Sequence, residues 1–325
     1  MPPHGEDLKI VSVHSRPEER LSDAYLVRHI HSIKSLEAGS LTILRPDQKV
    51  HVRAELAIYD IDETTFEGSI EIHDGPQGKW AYAVRTVLGQ HGIPVPSDWV
   101  DVWNQRFRPH TGTADHLVAL GLLRELQQTC PLSAILGVGV QEIDAGMLHA
   151  LETRLPYLWH MIGLVPGVVD LLDSGCVNAS CTASPERFVR PGLEHFGIHS
   201  KFDFHVFDAV KRRLDLSYSK QPIQDVCKIT GVEPANAIMF GDSISDEGAA
   251  WLAGTGVTII RLPSHLQNQV GRGAEIAKFC VSMDALRERH AAESPDRPPA
   301  VVLIHEYDQV ELGQHRGAAS AVLVE

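Results

Sequence analysis

The sequence predicts an α/β chain built on a doubly wound parallel sheet, with a second, α-helical unit inserted into it. Short apolar runs that end abruptly in charged or hydroxyl residues recur at Leu56–Tyr59, Val177–Cys181, 204–207, 237–240 and 257–262. Such runs, without polar alternation, suit strands buried on both faces of a parallel sheet. Helical patterns with start and stop signals separate most of them, which is the βαβ rhythm. Between the first run and the second lies a long stretch of helical spacing, the predicted insertion.

The composition sets limits. At 325 residues, 43% hydrophobic and 22% charged, the chain has material for about two globular domains. A net charge of −13 disfavours nucleic acid and anionic membrane as partners. No run reaches the ~18 apolar residues of a membrane span. The opening residues lack the basic region and unbroken apolar stretch of a signal peptide, so a cytoplasmic protein is expected. The five cysteines form no CxxC pair and read as free thiols in a reducing compartment.

Residues 1–50 carry the strand-like pieces LKIVSVH and LTIL and read as an N-terminal extension that adds strands to the core. KVHVRAE then leads into LAIYDIDETT. Apolar residues recur at three- and four-residue spacing over 80–90, 98–107, 114–128 and 142–154, with Ser97 and Thr113 placed as N-caps. These predict a helical cap over 67–165, its core including Trp99, Trp103 and Trp159. Pro166-Gly167-Val168 opens a helix closed by Gly175. Ser184-Pro185-Glu186 has the order N-cap, N1 proline, first-turn acid, and starts a helix that Pro191 should kink or divide. A further helix over 222–230 ends at Gly231, and Asp246 is placed to cap the helix EGAAWLAG. From residue 263 the pattern weakens. After a proline-rich linker, AVVLIHEYDQVEL reads as one more strand or hairpin. The domain expectation is a catalytic core of 51–66 and 166–285, the cap, and a C-terminal extension over 286–325.

In such a sheet, ligands bind beyond the carboxyl ends of the strands. Asp60 and Asp62, spaced i, i+2 after an apolar strand, aim their carboxylates into one volume. At ~5 Å the two charges repel by about 3 kcal/mol in an effective dielectric near 20, which calls for a cation or a shared proton. Ser180 or Thr182, then Lys220 before a helix, then Asp242 and Asp246 reach the same face. Hydroxyls and a cation for phosphoryl oxygens, beside carboxylates for a magnesium ion, are what phosphoryl transfer requires.

The order of these groups resembles the haloacid dehalogenase superfamily over about residues 56–262. DIDETT is similar to its Asp-x-Asp-x-Thr motif, CTASPERF to the second motif, SKQP to the lysine motif, and GDSISDEGAAWLAG to the fourth, with PGVVDLL in support. Glu63 stands where glycine is commoner, and the lysine motif reads KQP rather than KP. The resemblance implies a Mg²⁺-dependent phosphatase acting on a small phosphate monoester. Asp60 would be the nucleophile and Asp62 the general acid and base. Thr182, with Ser180 as the alternative, and Lys220 would hold the phosphoryl group. Asp60, Asp242 and the main-chain carbonyl of Asp62 would bind the metal, with Asp246 ligating or supporting it. An acid at position 62 favours phosphate esters over the dehalogenase and phosphonate reactions of the family.

A phosphosugar mutase of the same superfamily shares these motifs and differs in how well its cap excludes water. A catalytically silent binding or scaffold protein is opposed by the intact acids. A signalling receiver domain is opposed by the long insertion between Asp62 and Thr182 and by the acids after the lysine. The chain's oligomeric state is open, a homodimer included.

Overall fold

The computed structural model describes residues 33–69, 79–92, 124, 128, 139, 141–143, 145, 146, 149, 153, 162–211, 217–262, 269–293, 295–315 and 317–324. Its centre is a seven-stranded sheet made of β2 (Leu41–Ile43), β4 (Leu56–Tyr59), β7 (Val177–Cys181), β8 (Phe204–Val206), β9 (Ala237–Gly241), β10 (Val257–Arg261) and β11 (Ala300–Ile304). The spatial order is β2-β11-β10-β9-β4-β7-β8, and every pairing is parallel. All four residues of β4 are buried, as are the five of β9 and the five of β10. That burial is why these runs lack polar alternation.

The pleat of β4 sends Ala57 and Tyr59 to one face and Leu56 and Ile58 to the other. Leu56 and Ile58 meet Ile223 and Val226 of α4 (Gln221–Thr230) and Ala249 and Ala250 of α5 (Ile244–Ala253). Further along this face, Phe279 and Met283 of α6 (Gln269–Arg289) cover Ile260, Val301 and Leu303. Tyr59 stacks on Phe240 at 4.7 Å on the opposite face. There α2 (Val168–Leu172) and α3 (Glu186–His195) complete the cover. The sheet is therefore doubly wound, with β4 in its interior between β9 and β7.

Several local expectations change. Helix α3 runs on through Pro191 undivided, and its N-cap is Pro185 rather than Ser184. Ser243, not Asp246, is the N-cap of α5; Asp246 is at N3 and completes a reciprocal capping box. The weak pattern after residue 263 holds the 21-residue α6. Ala300–Ile304, read as a strand or hairpin beyond a linker, lies inside the main sheet between β10 and β2. Of the N-terminal pieces, LTIL supplies the edge strand β2, and LKIVSVH falls outside the described residues.

The remaining terminal strands build a second sheet of order β1-β13-β3-β12, from Ile33–Ser35, Ser320–Val324, Lys49–Ala54 and Val310–Gln314. It packs Val50, Val52, Ala54, Ala321 and Leu323 into the same core cluster as Tyr59 and Phe240. Residues from both ends of the chain thus cover one face of the main sheet.

The predicted insertion leaves and returns through a two-stranded antiparallel stem, β5 (Phe66–Glu67) with β6 (Gly163–Leu164). Inside it, α1 (Lys79–Gln90) is helical, as are the described positions 124, 128, 141–143, 145, 146, 149 and 153. Gly146 lies so close to Ala83 of α1 that a Cβ would sit 3.2 Å from its Cα. The expected helix over 98–107, both predicted caps and all three tryptophans fall outside the described residues.

Cys176, Cys181 and Cys227 are buried free thiols. Among the described residues, no helix is long and apolar enough to cross a membrane.

Gly256 locks the two sheets together. A Cβ there would meet Ala235 O at 2.5 Å and Ala319 Cβ at 2.7 Å, with Ala319 itself tied to Ala235 by a 2.7 Å backbone hydrogen bond. Backbone atoms cannot yield as a flexible side chain would, so Gly256→Ala should lower stability by about 1–3 kcal/mol in urea unfolding. An unchanged midpoint would mean that the second sheet is not firmly seated.

Candidate active site

Asp60 stands one residue beyond β4, its amide bonded to Phe240 O at 2.9 Å. The chain then turns sharply: the amides of Thr65 and Phe66 both reach Ile61 O at 2.8 Å, and Thr65 Oγ1 donates to Asp60 O at 2.7 Å. At the apex Glu63 has φ +55°, the left-handed conformation that favours glycine. Two contacts hold it there. Its amide donates to Ser69 Oγ at 3.2 Å, and its carbonyl accepts from Arg261 Nη1 at 3.2 Å. Arg261, at the end of β10, is fully buried and also pairs with Glu67 at 3.0 Å and Glu306 at 3.5 Å. One guanidinium thus joins the turn after Asp60, the stem of the insertion and the C-terminal segment.

At the end of β9, Asp242 receives the Thr64 hydroxyl at 3.4 Å. Asp246 is fully buried, and its Oδ2 accepts from Ser243 Oγ at 2.7 Å and from the amides of Asp242 and Ser243 at 3.3 Å. Its Oδ1 pairs with Lys211, whose ammonium also reaches Asp60 Oδ1 at 2.8 Å and Cys181 O at 3.1 Å. Burial alone would lower the Lys211 pKa, but Asp246 and Asp60 together hold it above the ordinary lysine value.

Burial pushes the Asp60 carboxyl up to about 7 against the pull of Lys211, with Asp246 and Asp62 adding to the rise. Asp242 is driven well above the usual carboxylate range by burial first, then by Asp246 and Asp60. One ammonium therefore does not compensate this cluster. Asp60, Asp242 and Asp246 each offer an oxygen within 4.8 Å of the others. An all-carboxylate set of that size fits a hard divalent cation.

A family model for haloacid dehalogenase-like hydrolases matches residues 54–254. The chain belongs to that family. It is 26% identical over 209 residues to a phosphoglycolate phosphatase of Psychrobacter arcticus, covering 59% of this chain and 76% of that one. CbbY from Rhodobacter sphaeroides, solved with phosphate, matches at 18% identity and a TM-score of 0.48, over 68% of this chain and 91% of its own. A Thermotoga maritima protein described as a β-phosphoglucomutase matches at 18% identity and a TM-score of 0.43, over 78% and 96%.

Against the family motifs, the structure brings Asp60, Asp242 and Asp246 together and sets the Asp62 carboxylate slightly apart, accepting from Ser184 Oγ at 2.6 Å. Thr182 is buried at the end of β7, and its Oγ1 accepts the Ser184 amide at 3.1 Å, leaving its own proton to donate. Ser180 faces elsewhere, its hydroxyl 2.9 Å from His205 Nδ1. Lys220 is not among the grouped residues. It is exposed at the start of α4, and the lysine beside the carboxylates is Lys211. A 2.9 Å bond from the Ser219 amide to Lys211 O brings the two positions side by side, with Lys211 turned inward. The KQP pattern pointed to the wrong end of this excursion. The one local signal for Lys211 was its place directly after Ala209-Val210, a short apolar lead-in.

Beside Asp246, Glu247 is fully buried, and neither carboxylate oxygen has a hydrogen-bond partner among the described residues. Burial pushes its carboxyl up to about 7, partly opposed by Arg287. The folded state thus holds this proton more tightly than the unfolded chain. Its stabilising effect is full below the ordinary value of 4.5 and is lost as pH rises through about 7. Glu247→Gln should therefore add about 1–3 kcal/mol near pH 8 and little near pH 5, read by urea unfolding at each pH. Equal effects at both would mean that Glu247 is paired when ionised.

Proposed function

We propose that this hydrolase is a Mg²⁺-dependent phosphatase that cleaves a small phosphate monoester through a phosphoryl group carried on Asp60. The observation that carries this reading is the Asp60 carboxylate just beyond the interior strand β4, paired with buried Lys211 and facing Asp242 and Asp246. The relationship to a phosphoglycolate phosphatase supports it and makes 2-phosphoglycolate the first substrate to try.

In this account an Asp60 oxygen attacks phosphorus as the ester P–O bond breaks, and Asp62 gives its proton to the departing alkoxide. Asp62 then takes a proton from water as that water attacks phosphorus, which releases inorganic phosphate and restores Asp60. Lys211 holds Asp60 in line through Oδ1, and the Thr182 hydroxyl donates to a phosphoryl oxygen. Mg²⁺, held by Asp60 and Asp242 with Asp246 behind them, would neutralise charge on the phosphoryl oxygens. Asp246 acts chiefly by orientation, since Lys211, Ser243 and the Asp242 amide already engage both its oxygens. In this reading the lysine of the site is Lys211, beside Asp60, rather than Lys220.

Two measurements test this. Phosphate release should stop in excess EDTA and return with added Mg²⁺; undiminished release in EDTA would exclude the metal. Lys211→Gln should lower kcat/KM by roughly 10²-fold or more, while Lys220→Ala stays within about threefold of the parent. The reverse ranking would return the role to Lys220.

A further inference from the structure

Ser184 holds Asp62 rather than the helix it precedes. Ser184 precedes Pro185, the N-cap of α3, and makes no side-chain cap to that helix. Its hydroxyl, buried to 6% exposure, instead donates to Asp62 Oδ2 at 2.6 Å. The backbone of Ser184 is held from two sides: its amide donates to Thr182 Oγ1 at 3.1 Å, and its carbonyl accepts the Asp208 amide at 3.3 Å. The donor is therefore delivered by a braced loop. The loop that presents Thr182 is the same one that grips Asp62.

We propose that Ser184 is a positioning residue for proton transfer to the leaving oxygen. Its hydroxyl holds the Asp62 carboxyl in the orientation from which the departing alkoxide is protonated. This rests on the reading of Asp62 as the proton donor. Loss of this hydrogen bond would lower the fraction of bound substrate with an aligned donor. The defect depends on the leaving group. An alkoxide must be protonated as it departs, whereas p-nitrophenolate leaves stably without a proton.

The test compares kcat/KM for 2-phosphoglycolate or another alkyl monoester with that for p-nitrophenyl phosphate, a ratio that reports the steps up to alcohol release. Ser184→Ala should lower the alkyl value by about 10- to 100-fold and the aryl value by less than about threefold. Ser184→Thr, which keeps a hydroxyl, should restore most of the alkyl activity. Should Ser184→Ala not fold, Ser184→Cys, of similar size and a weak donor, carries the same comparison. Equal loss on both esters, no loss, or failure of Ser184→Thr to restore activity would overturn the proposal. Asp62→Asn separates this from the underlying reading. If Asp62→Asn is indifferent to the leaving group, Asp62 is not the proton donor. If Asp62→Asn discriminates and Ser184→Ala does not, only the role of Ser184 fails.

Discussion

The site depends on one buried ammonium. Lys211 lies between Asp60, just beyond β4, and Asp246, in the first turn of the helix that follows β9; the two would otherwise confront each other in a medium of low polarity. Removing one partner of such a buried group strands charge without water, at a typical loss of about 3–5 kcal/mol. In the proposed reaction the same contacts would serve chemistry, because the lysine that makes the cluster tolerable would also orient the attacking oxygen of Asp60. What it leaves uncompensated, the raised Asp60 and Asp242 carboxyls, is the electrostatic requirement that a divalent cation meets.

Arg261 plays the corresponding part for the backbone. A non-glycine residue in the left-handed region costs about 1–2 kcal/mol, and Glu63 occupies it at the apex of the turn after Asp60. The guanidinium binds the Glu63 carbonyl and ties that turn to Glu67 in the stem and Glu306 in the C-terminal segment. Arg261 and Glu306 both lie beyond the stretch matched by the family model. The C-terminal segment is thus tied through Arg261 to the turn after Asp60.

Much of this was legible in the residues. Strands buried on both faces announce themselves as apolar runs, so β4, β7 and β9 stood out, and the acids after β4 and β9 and the hydroxyls at the end of β7 followed. Other features depend on partners far away in sequence. Strand β2 pairs with β11, and β3 with β12 and β13, pairings that local pattern cannot reveal. Helix α6 carries Gly271 and Gly273 in its first turns and is partly exposed along its length, which blurred its period. Lys211 follows the rule that a lone lysine reads as solvated until its counter-charges are seen. Ser184 was misread because Ser-Pro-Glu is also the signature of a helix start; only the fold reveals that proline takes the cap and frees the hydroxyl for Asp62.

The central claim is that Asp60 carries the phosphoryl group. It is tested most directly by quenching the enzyme during turnover, reducing any acyl phosphate with borohydride and sequencing the peptides by mass spectrometry. Reduction releases phosphate and converts an aspartyl phosphate to homoserine. The account predicts homoserine at position 60, only in the presence of substrate and Mg²⁺. Homoserine at another aspartate, or an unmodified Asp60 in enzyme quenched at full turnover, would contradict it.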